Sequence, residues 1–254
     1  MLLDMPSASI GNETVDVLFN GKIKVRQPLH GYRFSIDSIL LATFTWLKKK
    51  EKIADLGTGV GIIPLFLAMR NDGIEQIVGI ELQEDLVAAA LQNVSMNGFD
   101  DLIQVYNEDI RSIDEALLPA KFDVVVSNPP YYQISSGRIN PSLPKAIARH
   151  EVCCTLEDVL RASSYLLKDG GRFFIVYPAT RAITLLHQLR SFGIEPKKLR
   201  WVHSRQGEPA KFILAEAHKG GREEVEVLSP LMLYTQSGKY SQEIEIVCSG
   251  SILH

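Results

Sequence analysis

The sequence has few cysteines, little net charge and no long apolar run, and each shortage excludes a class of protein. Its three cysteines, Cys153, Cys154 and Cys248, lack the CxxC spacing of zinc and redox sites, and their odd number argues against a disulfide framework. No apolar run reaches the roughly 20 residues of a membrane span. The N-terminus also lacks the basic and apolar segments of a signal peptide. The sequence therefore predicts a reduced, cytoplasmic protein with no metal site and no membrane association.

The composition is that of an ordinary globular domain, with an uneven distribution of charge. Hydrophobic residues make up 46% and charged residues 22% of the 254 residues, which suffices for one large α/β core. The net charge of −3 excludes a uniformly basic surface. Residues 181–222, however, hold nine Lys or Arg and three Glu, a net of +6. This stretch, which includes Arg200, Arg205 and Lys211, predicts a face that contacts phosphates, with a solvated face as the alternative.

From Lys52 onward, short apolar runs alternate with amphipathic stretches, which predicts repeated βα units around a mostly parallel sheet. The predicted strands are Lys52–Leu56, Gln76–Glu81, Ile103–Tyr106, Phe122–Ser127, Arg172–Tyr177, Leu199–His203, Phe212–Ala217 and Val225–Val227. The predicted helices are Gly61–Met69, Glu84–Met96, a helix from a Thr155–Asp158 capping box to Leu167, and Ala179–Phe192. Adjacent antiparallel strands late in the chain are expected.

Residues 1–51 precede the first βα unit and are expected to form an N-terminal extension that packs on a cofactor site. They contain a predicted β element, Val15–Arg26, and a predicted helix, Ser35–Lys48. Residues 52–254 are expected to form one domain. Within it, residues 128–154 are rich in Pro, Ser and Gly without periodicity, and long irregular loops of this kind are usually functional.

A glycine-rich turn follows the first predicted strand and precedes a helix. It reads Asp55-Leu56-Gly57-Thr58-Gly59-Val60-Gly61. The glycines permit a sharp turn and a close approach of the backbone to a ligand. A dinucleotide-binding turn usually reads GxGxxG, whereas here an acid precedes three alternating glycines. S-adenosylmethionine carries a cationic amino-acid end, which Asp55 can attract directly or through water.

Acidic residues also end the next two strands. Glu81 ends the second strand, where a carboxylate can accept both ribose hydroxyl groups of a nucleoside cofactor. Asp109 follows the third strand, where it can accept the adenine amino group, with the Ile110 side chain beside the ring. Acids at three successive strand ends favour a nucleoside cofactor over solvated surface charge.

The fourth predicted strand ends in Asn128-Pro129-Pro130-Tyr131, at the sheet edge where open α/β sheets bind ligands. The prolines rigidify the turn, so the Asn128 amide oxygen and the Pro129 carbonyl are two acceptors for one NH₂ group. Tyr131 offers an aromatic face for a flipped base. The arrangement predicts methyl transfer to a planar amino nitrogen, catalysed by positioning and electrostatics rather than by a strong base.

The series Asp55–Gly61, Glu81, Asp109 and Asn128–Tyr131 resembles the amino-group methyltransferases of the Rossmann-like class I fold. The segment from Gly31 to Ser38 resembles the upstream cofactor motif of the small-domain methyltransferases. Arg149-His150-Glu151 resembles the segment that follows NPPY in the bacterial valine-tRNA adenine-N6 methyltransferases. The resemblance covers most of residues 20–250, and it implies an α/β fold with a mostly parallel seven-stranded sheet and helices on both faces.

The resemblance also implies a site and its ligands. The cofactor is expected to be S-adenosyl-L-methionine, the partner tRNA, and the chain a monomer. The residues expected to act on the acceptor are Asn128, Pro129, Pro130 and Tyr131. Those expected to bind the cofactor are Phe34, Asp37, Asp55, Gly57, Thr58, Gly59, Gly61, Glu81, Leu82, Asp109, Ile110 and Asn128.

Three alternatives stay open at this point. A protein glutamine-N5 or rRNA guanine-N2 methyltransferase also presents a planar NH₂ acceptor, although about fifty N-terminal residues leave little room for the substrate domain of the glutamine enzymes. A non-catalytic RNA-binding relative is a third candidate. Asp37 can cap its helix instead of contacting the cofactor, and His150 can be structural instead of orienting the substrate.

Overall fold

The computed structural model describes residues 7–10, 13–29, 33–130 and 154–250. It contains a small antiparallel sheet near the N-terminus and one large sheet with helices on both faces. Several residues discussed above lie outside the described residues: Gly31, Tyr32 and residues 131–153, which include Tyr131, the loop 133–150 with Arg149 and His150, Glu151 and Cys153. No helix of the described part is long and apolar enough to cross a membrane.

The strands and helices follow in chain order. The strands are β1 (Ser7–Ile10), β2 (Glu13–Leu18), β3 (Ile23–Pro28), β4 (Lys52–Leu56), β5 (Gln76–Glu81), β6 (Ile103–Asn107), β7 (Phe122–Ser127), β8 (Leu167–Pro178), β9 (Ile194–His203), β10 (Ala210–Lys219), β11 (Glu226–Val227) and β12 (Leu231–Met232). The helices are α1 (Ile36–Phe44), α2 (Ile62–Arg70), α3 (Glu84–Met96), α4 (Ile113–Ala116), α5 (Leu156–Leu166), α6 (Ala182–Ser191) and α7 (Gln242–Cys248).

The large sheet has seven long strands in the order β6-β5-β4-β7-β8-β10-β9. The pairs from β6 to β8 are parallel, and β10 is antiparallel to both of its neighbours. The expected mostly parallel sheet of seven strands with late antiparallel strands is therefore confirmed. The two-residue strands β11 and β12 both pair with β9 and extend the sheet at that end.

The central strands are apolar on both faces because helices cover both sides of the sheet. Along β7, Val124 and Val126 belong to one core cluster, and Val125, between them, belongs to the other. Successive strand residues point to opposite faces, so a continuous apolar run is the signature of a strand buried on both sides. Helices α1, α2 and α3 cover one face, and α5 and α6 cover the other.

Two helix boundaries follow from local chemistry as the sequence predicts. Helix α3 stops at Asn97-Gly98, and Gly98 takes a left-handed conformation with φ of +71°. Helix α5 begins with a capping box in which Asp158 stands where Glu or Gln is usual. The Thr155 hydroxyl accepts from the Asp158 backbone N–H at 3.2 Å, and the Asp158 carboxylate accepts from the Thr155 N–H at 2.9 Å.

The helix predicted over Ser35–Lys48 is too long, because α1 ends at Phe44. Thr45 is extended, and its hydroxyl donates to the Leu41 carbonyl at 2.9 Å. The chain then places Trp46 beneath Arg172, with the guanidinium carbon 3.7 Å from the indole centroid, and the indole N–H donates to Glu216 at 2.8 Å. These tertiary contacts outweigh the helical pattern of the sequence.

Strand β10 begins two residues earlier than predicted, at Ala210, and two other strands begin five residues earlier. Strand β8 starts at Leu167, and its register against β7 shifts between Phe122 and Val124, so Gly170-Gly171 lies in a bulge within the strand. A Cβ on Gly171 would stand 2.8 Å from the Lys168 carbonyl oxygen, which explains the glycine. Strand β9 starts at Ile194, because its first half pairs with the end of β10.

The buried ion pair of Arg172 with Glu51 ties the start of β8 to the segment before β4. The two charged groups stand 2.5 Å apart, with side-chain exposures of 5% and 11%. We expect Arg172→Ala to lower the free energy of unfolding by about 3–5 kcal/mol, because it leaves a buried carboxylate unpaired. As a matched control, Lys52→Ala breaks an exposed pair with Glu75 and is expected to cost at most about 1 kcal/mol. Urea denaturation monitored by circular dichroism measures the free energy of unfolding of both variants. Equal losses of stability in the two would contradict the stabilising role of the buried pair.

Candidate active site

Four adjacent parallel strands bring their carboxyl ends to one edge of the sheet. The register pairs Leu56 of β4 with Ile80 of β5 and Ser127 of β7, and pairs Glu81 with Asn107 of β6. The residues predicted at the strand ends therefore meet at this edge, including Asn128, which directly follows β7. Below, this edge is called the carboxyl edge.

The glycine-rich turn after β4 is held by backbone hydrogen bonds to β5. The N–H groups of Gly57 and Thr58 both donate to the Ile80 carbonyl, at 2.8 and 3.0 Å. Gly57, Gly59 and Gly61 have φ values of +75°, +58° and +83°, a conformation that side chains disfavour. The position a Cβ would take on Gly57 has nothing within 4 Å, so the backbone there is open to a ligand.

Asp55 is fully buried at the end of the central strand. Its Oδ2 accepts from the Thr58 hydroxyl at 2.7 Å, while its Oδ1 has no hydrogen-bond partner among the described residues. Burial raises the pKa of the Asp55 carboxyl to about 7, against the opposite effect of the Thr58 bond and with a smaller contribution from the negative charge of Glu81. An unsatisfied buried carboxylate oxygen fits a site that receives a cationic ligand group.

Glu81 links the end of β5 to the glycine-rich turn. Its Oε2 accepts from the Gly59 N–H at 2.9 Å, and its Oε1 accepts from the Gln83 N–H at 3.0 Å. The side chain is nearly buried. Oε1 also accepts a long bond from the Gln83 side-chain amide at 3.5 Å. Because a carboxylate oxygen has two lone pairs, Oε2 can accept a further hydrogen bond, and Oε1 can do so when the Gln83 side chain gives way to a ribose hydroxyl group.

Asp109 already accepts several hydrogen bonds within the protein, which the sequence does not indicate. It caps a short 3₁₀ helix, Ile110–Ser112, by accepting from the Arg111 N–H at 2.9 Å, and the Arg111 guanidinium binds both carboxylate oxygens. These Arg111 contacts hold the pKa of the Asp109 carboxyl below its usual range. An adenine amino group at Asp109 must share the carboxylate with Arg111. Ile110, predicted beside the adenine ring, is half-buried, and Leu82, also predicted to bind the cofactor, is exposed.

Asn128 is oriented by a residue of the N-terminal extension. Its Nδ2 donates to the Oγ of Ser38, on α1, at 2.9 Å. Pro129 is buried and Pro130 exposed. Tyr131, the fourth residue of the motif, is outside the described part of the chain.

Phe34 and Asp37, predicted to contact the cofactor, are both 5% exposed. Phe34 packs in the core cluster on the α1 face of the sheet. The Asp37 carboxylate accepts from the Ser35 hydroxyl and, at 2.9 Å, from the Ser38 N–H in the first turn of α1. Both bonds lie in the first turn of α1, whose N-cap residue is Ser35. The contact of Asp37 with the cofactor stays a prediction.

Three residues support the site without having been predicted to do so. Ser38 orients Asn128, and Gly79 leaves room for Thr58, because a Cβ there would stand 2.9 Å from the threonine Oγ1 and Cγ2. The fully buried Asn93 accepts from the Arg26 N–H and donates to the carbonyls of Arg26 and Val60. A glycine inside a strand does signal such a close approach. Ser38 ends the segment that resembles the upstream cofactor motif, but its bond to Asn128, 90 residues away, carries no sequence signal, and neither does the bond of Asn93 to Arg26, 67 residues away.

The cysteine near the site is not a nucleophile. Burial, followed by the negative charges of Asp158 and Asp109, raises the pKa of the Cys154 thiol to about 12. The thiol is therefore neutral at physiological pH, and the thiolate is the nucleophilic form. In the described ranges no group of three or more His, Cys, Asp or Glu side chains is placed to hold a metal ion.

Residues 35–190 match the model of the family described as methyltransferase small domain. The chain belongs to this family. The expected S-adenosylmethionine-dependent methyltransferase with a Rossmann-like fold is thereby confirmed. The matched range includes the glycine-rich turn, Glu81, Asp109 and Asn128, and it ends within α6.

Relatives of this methyltransferase carry a specific name. A protein from Actinobacillus pleuropneumoniae named tRNA1(Val) (adenine(37)-N6)-methyltransferase is 31% identical over 212 residues, 83% of this chain and 86% of the relative. A protein of the same name from Bacteroides thetaiotaomicron is 36% identical over 142 residues, 56% of this chain and 58% of the relative. A predicted O-methyltransferase from Agrobacterium tumefaciens has the same fold, with a TM-score of 0.70 at 22% identity over 86% of this chain and 98% of that one.

Asp55 should destabilise the ligand-free methyltransferase at neutral pH. The pKa of its carboxyl rises from 3.8 to about 7 on folding, so between these values the folded state holds a proton that the unfolded state has lost. The stabilisation from this group is therefore present at low pH and lost as pH rises through 7. We expect Asp55→Asn to be more stable than the parent at pH 8 by on the order of a few kcal/mol, and so to unfold at a higher temperature, with the difference shrinking towards pH 5.

Differential scanning fluorimetry over this pH range measures the effect. The same variant is expected to bind S-adenosylmethionine more weakly in calorimetry, because the amide lacks the negative charge. A stability difference that is independent of pH would show that the buried Asp55 carboxyl does not titrate in this range.

Proposed function

We propose that this enzyme transfers a methyl group from S-adenosylmethionine to the exocyclic N6 of an adenine in tRNA. The observation that carries the proposal is Asn128 at the end of β7, with its amide oriented by Ser38 and beside the strand that bears Asp55. The names of the two tRNA adenine-N6 methyltransferases above support adenine as the acceptor base. A tRNA substrate implies a cytoplasmic enzyme.

The residues of the carboxyl edge suit the parts of the methyl donor. Asp55 is assigned to the cationic amino-acid end, since its Oδ1 is buried and unsatisfied among the described residues. Glu81 is assigned to the two ribose hydroxyl groups, and Asp109 to the adenine amino group. The turn beside the cofactor is formed by Gly57, Thr58, Gly59 and Gly61. The other residues assigned to cofactor binding are Leu82, Ile110, Phe34 and Asp37. When bound, S-adenosylmethionine supplies an electrophilic methyl group.

The acceptor amine is held by two oxygen atoms of the chain. The Asn128 amide oxygen and the Pro129 carbonyl each accept one N–H of the planar NH₂ group, which directs the nitrogen lone pair out of the base plane. This geometry favours attack on the methyl carbon with no strong base, because positioning and electrostatics lower the barrier. The excess proton leaves the nitrogen for an accepting oxygen or solvent after transfer. Pro130 rigidifies the turn, and Tyr131 is assigned to stacking on the base.

Ser38 is a positioning residue in this mechanism. Removing its hydroxyl takes away one hydrogen bond that orients the Asn128 amide, and small errors of position at a reacting centre can lower rates by up to about 100-fold. We expect Ser38→Ala to lower kcat roughly tenfold or more, with the cofactor Kd and the KM for tRNA nearly unchanged. Single-turnover methylation with labelled cofactor measures this.

Two companion variants separate positioning from folding. Ser38→Thr keeps the hydroxyl and should retain most of the parental kcat, whereas Asn128→Ala should abolish turnover while still binding the cofactor. Parental kcat in Ser38→Ala would show that the 2.9 Å hydrogen bond does not orient the reactive amide.

The acceptor itself is tested by product analysis. Purified enzyme, labelled S-adenosylmethionine and unmodified tRNA are incubated together, and the RNA is digested to nucleosides. We expect the label in N6-methyladenosine, and none with Asn128→Ala as the matched control. Guanine and glutamine also present a planar NH₂ that Asn128 and Pro129 can hold. Label in N2-methylguanosine, or in an added release factor alone, would therefore reject adenine and leave the methyltransferase intact.

A further inference from the structure

The connection between β9 and β10, residues 204–209, emerges at the carboxyl edge. Strand β10 is antiparallel to both β8 and β9, so β9 runs in the same direction as β8 and ends on the same side as the site. Phe212, early in β10, pairs with Pro178 at the end of β8. The connection therefore lies at the edge that holds Asn128, three strands along the sheet from β7.

A second loop is fastened to this connection. Strand β12 pairs with β9 in parallel and leads into the turn 234–240 on the same side. The Tyr234 N–H donates to the Ser204 carbonyl at 2.9 Å, and the Gln236 side chain donates to the Gln206 carbonyl at 3.3 Å. The rings of Tyr234 and Tyr240 stack with centroids 5.2 Å apart. Residues 204–211 and 234–240 are together called the ridge.

Most basic side chains of residues 181–222 that lie away from the ridge are used within the protein. Arg190 pairs with Glu195 and Glu223, and Lys219 donates to the carbonyls of Ser164 and Leu167. The net charge of the stretch thus overstates its attraction for anions, because acids beyond it, such as Glu223, neutralise part of it.

Arg200 and Arg205, which the sequence treats alike, are separated by the structure. Arg200 pairs with Glu243 at 2.5 Å and donates to the Ser229 carbonyl, and its side chain is 17% exposed. Arg205 is 43% exposed. The structure therefore favours Arg205 over Arg200 for contact with phosphates.

The ridge combines cations with aromatic rings. Lys211 and Lys239 are exposed, and Arg205 has one ion pair, at 3.3 Å, to Glu208. The Arg205 guanidinium lies 5.8 Å from the Tyr234 ring centroid, and the Lys211 ammonium lies 6.0 Å from that of Phe212. These rings also pack against the core, so they hold the cations in place, and a row of such cations suits a strand of phosphates.

We infer that the ridge is an RNA-docking surface, which holds the phosphate backbone of the substrate while a base enters the site at Asn128. The inference rests on the proposed RNA substrate. It assigns binding to a part of the chain beyond residues 35–190, the range that matches the methyltransferase family. The whole chain carries a net charge of −3. A locally positive ridge beside the site therefore attracts an incoming polyanion to this edge of the sheet.

The test is the triple variant Arg205→Glu/Lys211→Glu/Lys239→Glu. Fluorescence anisotropy measures its binding of unmodified tRNA at several salt concentrations, with S-adenosylhomocysteine present. We expect the affinity to fall at least tenfold, and the slope of log K against log salt to become shallower by about 2–3, since each phosphate contact contributes about 0.7–0.9. The cofactor Kd and the melting temperature should match the parent.

Two further variants make the result specific. Arg222→Glu makes one such charge reversal near the start of β9, at the opposite edge, and should leave tRNA affinity within about twofold of the parent. Arg205→Gln/Lys211→Gln/Lys239→Gln removes charge without reversing it and should give an intermediate loss. An unchanged affinity and slope in both triple variants would overturn the ridge as a docking surface and leave it a solvated or protein-binding face. Because the parent's methylated product is identified separately, that outcome leaves the proposed function standing.

Discussion

The site depends on one constraint, which is the burial of a carboxyl group near the end of β4, an interior strand of the large sheet. Strand β4 has neighbours on both sides, so Asp55 at its carboxyl end is fully buried, with one oxygen unsatisfied among the described residues. A carboxyl group in such a place raises the energy of the ligand-free fold, because burial disfavours its charged form. A strained residue of this kind persists where it serves a ligand. The rest of the edge is arranged around it, with Thr58 bonded to it and Glu81 nearby holding the glycine-rich turn.

The N-terminal extension is attached to both halves of the site. Its strand β3 is clamped by Asn93, which also bonds the carbonyl of Val60 in the glycine-rich turn. Its helix α1 carries Ser38, which bonds Asn128. The segment ahead of the methyltransferase core thus connects the donor side with the acceptor side. We propose, in agreement with the two-part division of the sequence, that residues 1–51 act as a wall of the cofactor site.

The fold could be predicted from the sequence to a large extent, because most strand and helix boundaries depend on residues that are close together in the sequence. The strands Lys52–Leu56, Gln76–Glu81 and Phe122–Ser127 and the helix Glu84–Met96 have the predicted boundaries, since apolar period and terminal residues define them. The end of α1 was not predictable, because Trp46 leaves the helix for partners more than 100 residues away.

The candidate site divides along the same line. The acids and glycines of the strand ends follow from spacing, and the structure brings them to one edge. The contacts that orient these side chains do not follow from spacing. Asp109 is held by Arg111 and Asn128 by Ser38, through side-chain hydrogen bonds that the periodicity of the sequence does not indicate. Net charge likewise does not separate Arg200 from Arg205. Arg200 is 17% exposed and paired with Glu243, whereas Arg205 is 43% exposed beside Glu208.

The contact between Gly79 and Thr58 bears on the order in which this site can change over generations. A methyl group on residue 79 would meet the Thr58 side chain at 2.9 Å, well inside normal separations, while the Thr58 hydroxyl is bonded to Asp55. An alanine at position 79 is therefore excluded for as long as the threonine is kept. A lineage can exchange the glycine after it has shortened residue 58, and the reverse sequence of substitutions passes through a clashing intermediate. The contact between the glycine-rich turn and β5 thus restricts the order in which residues 58 and 79 can be substituted.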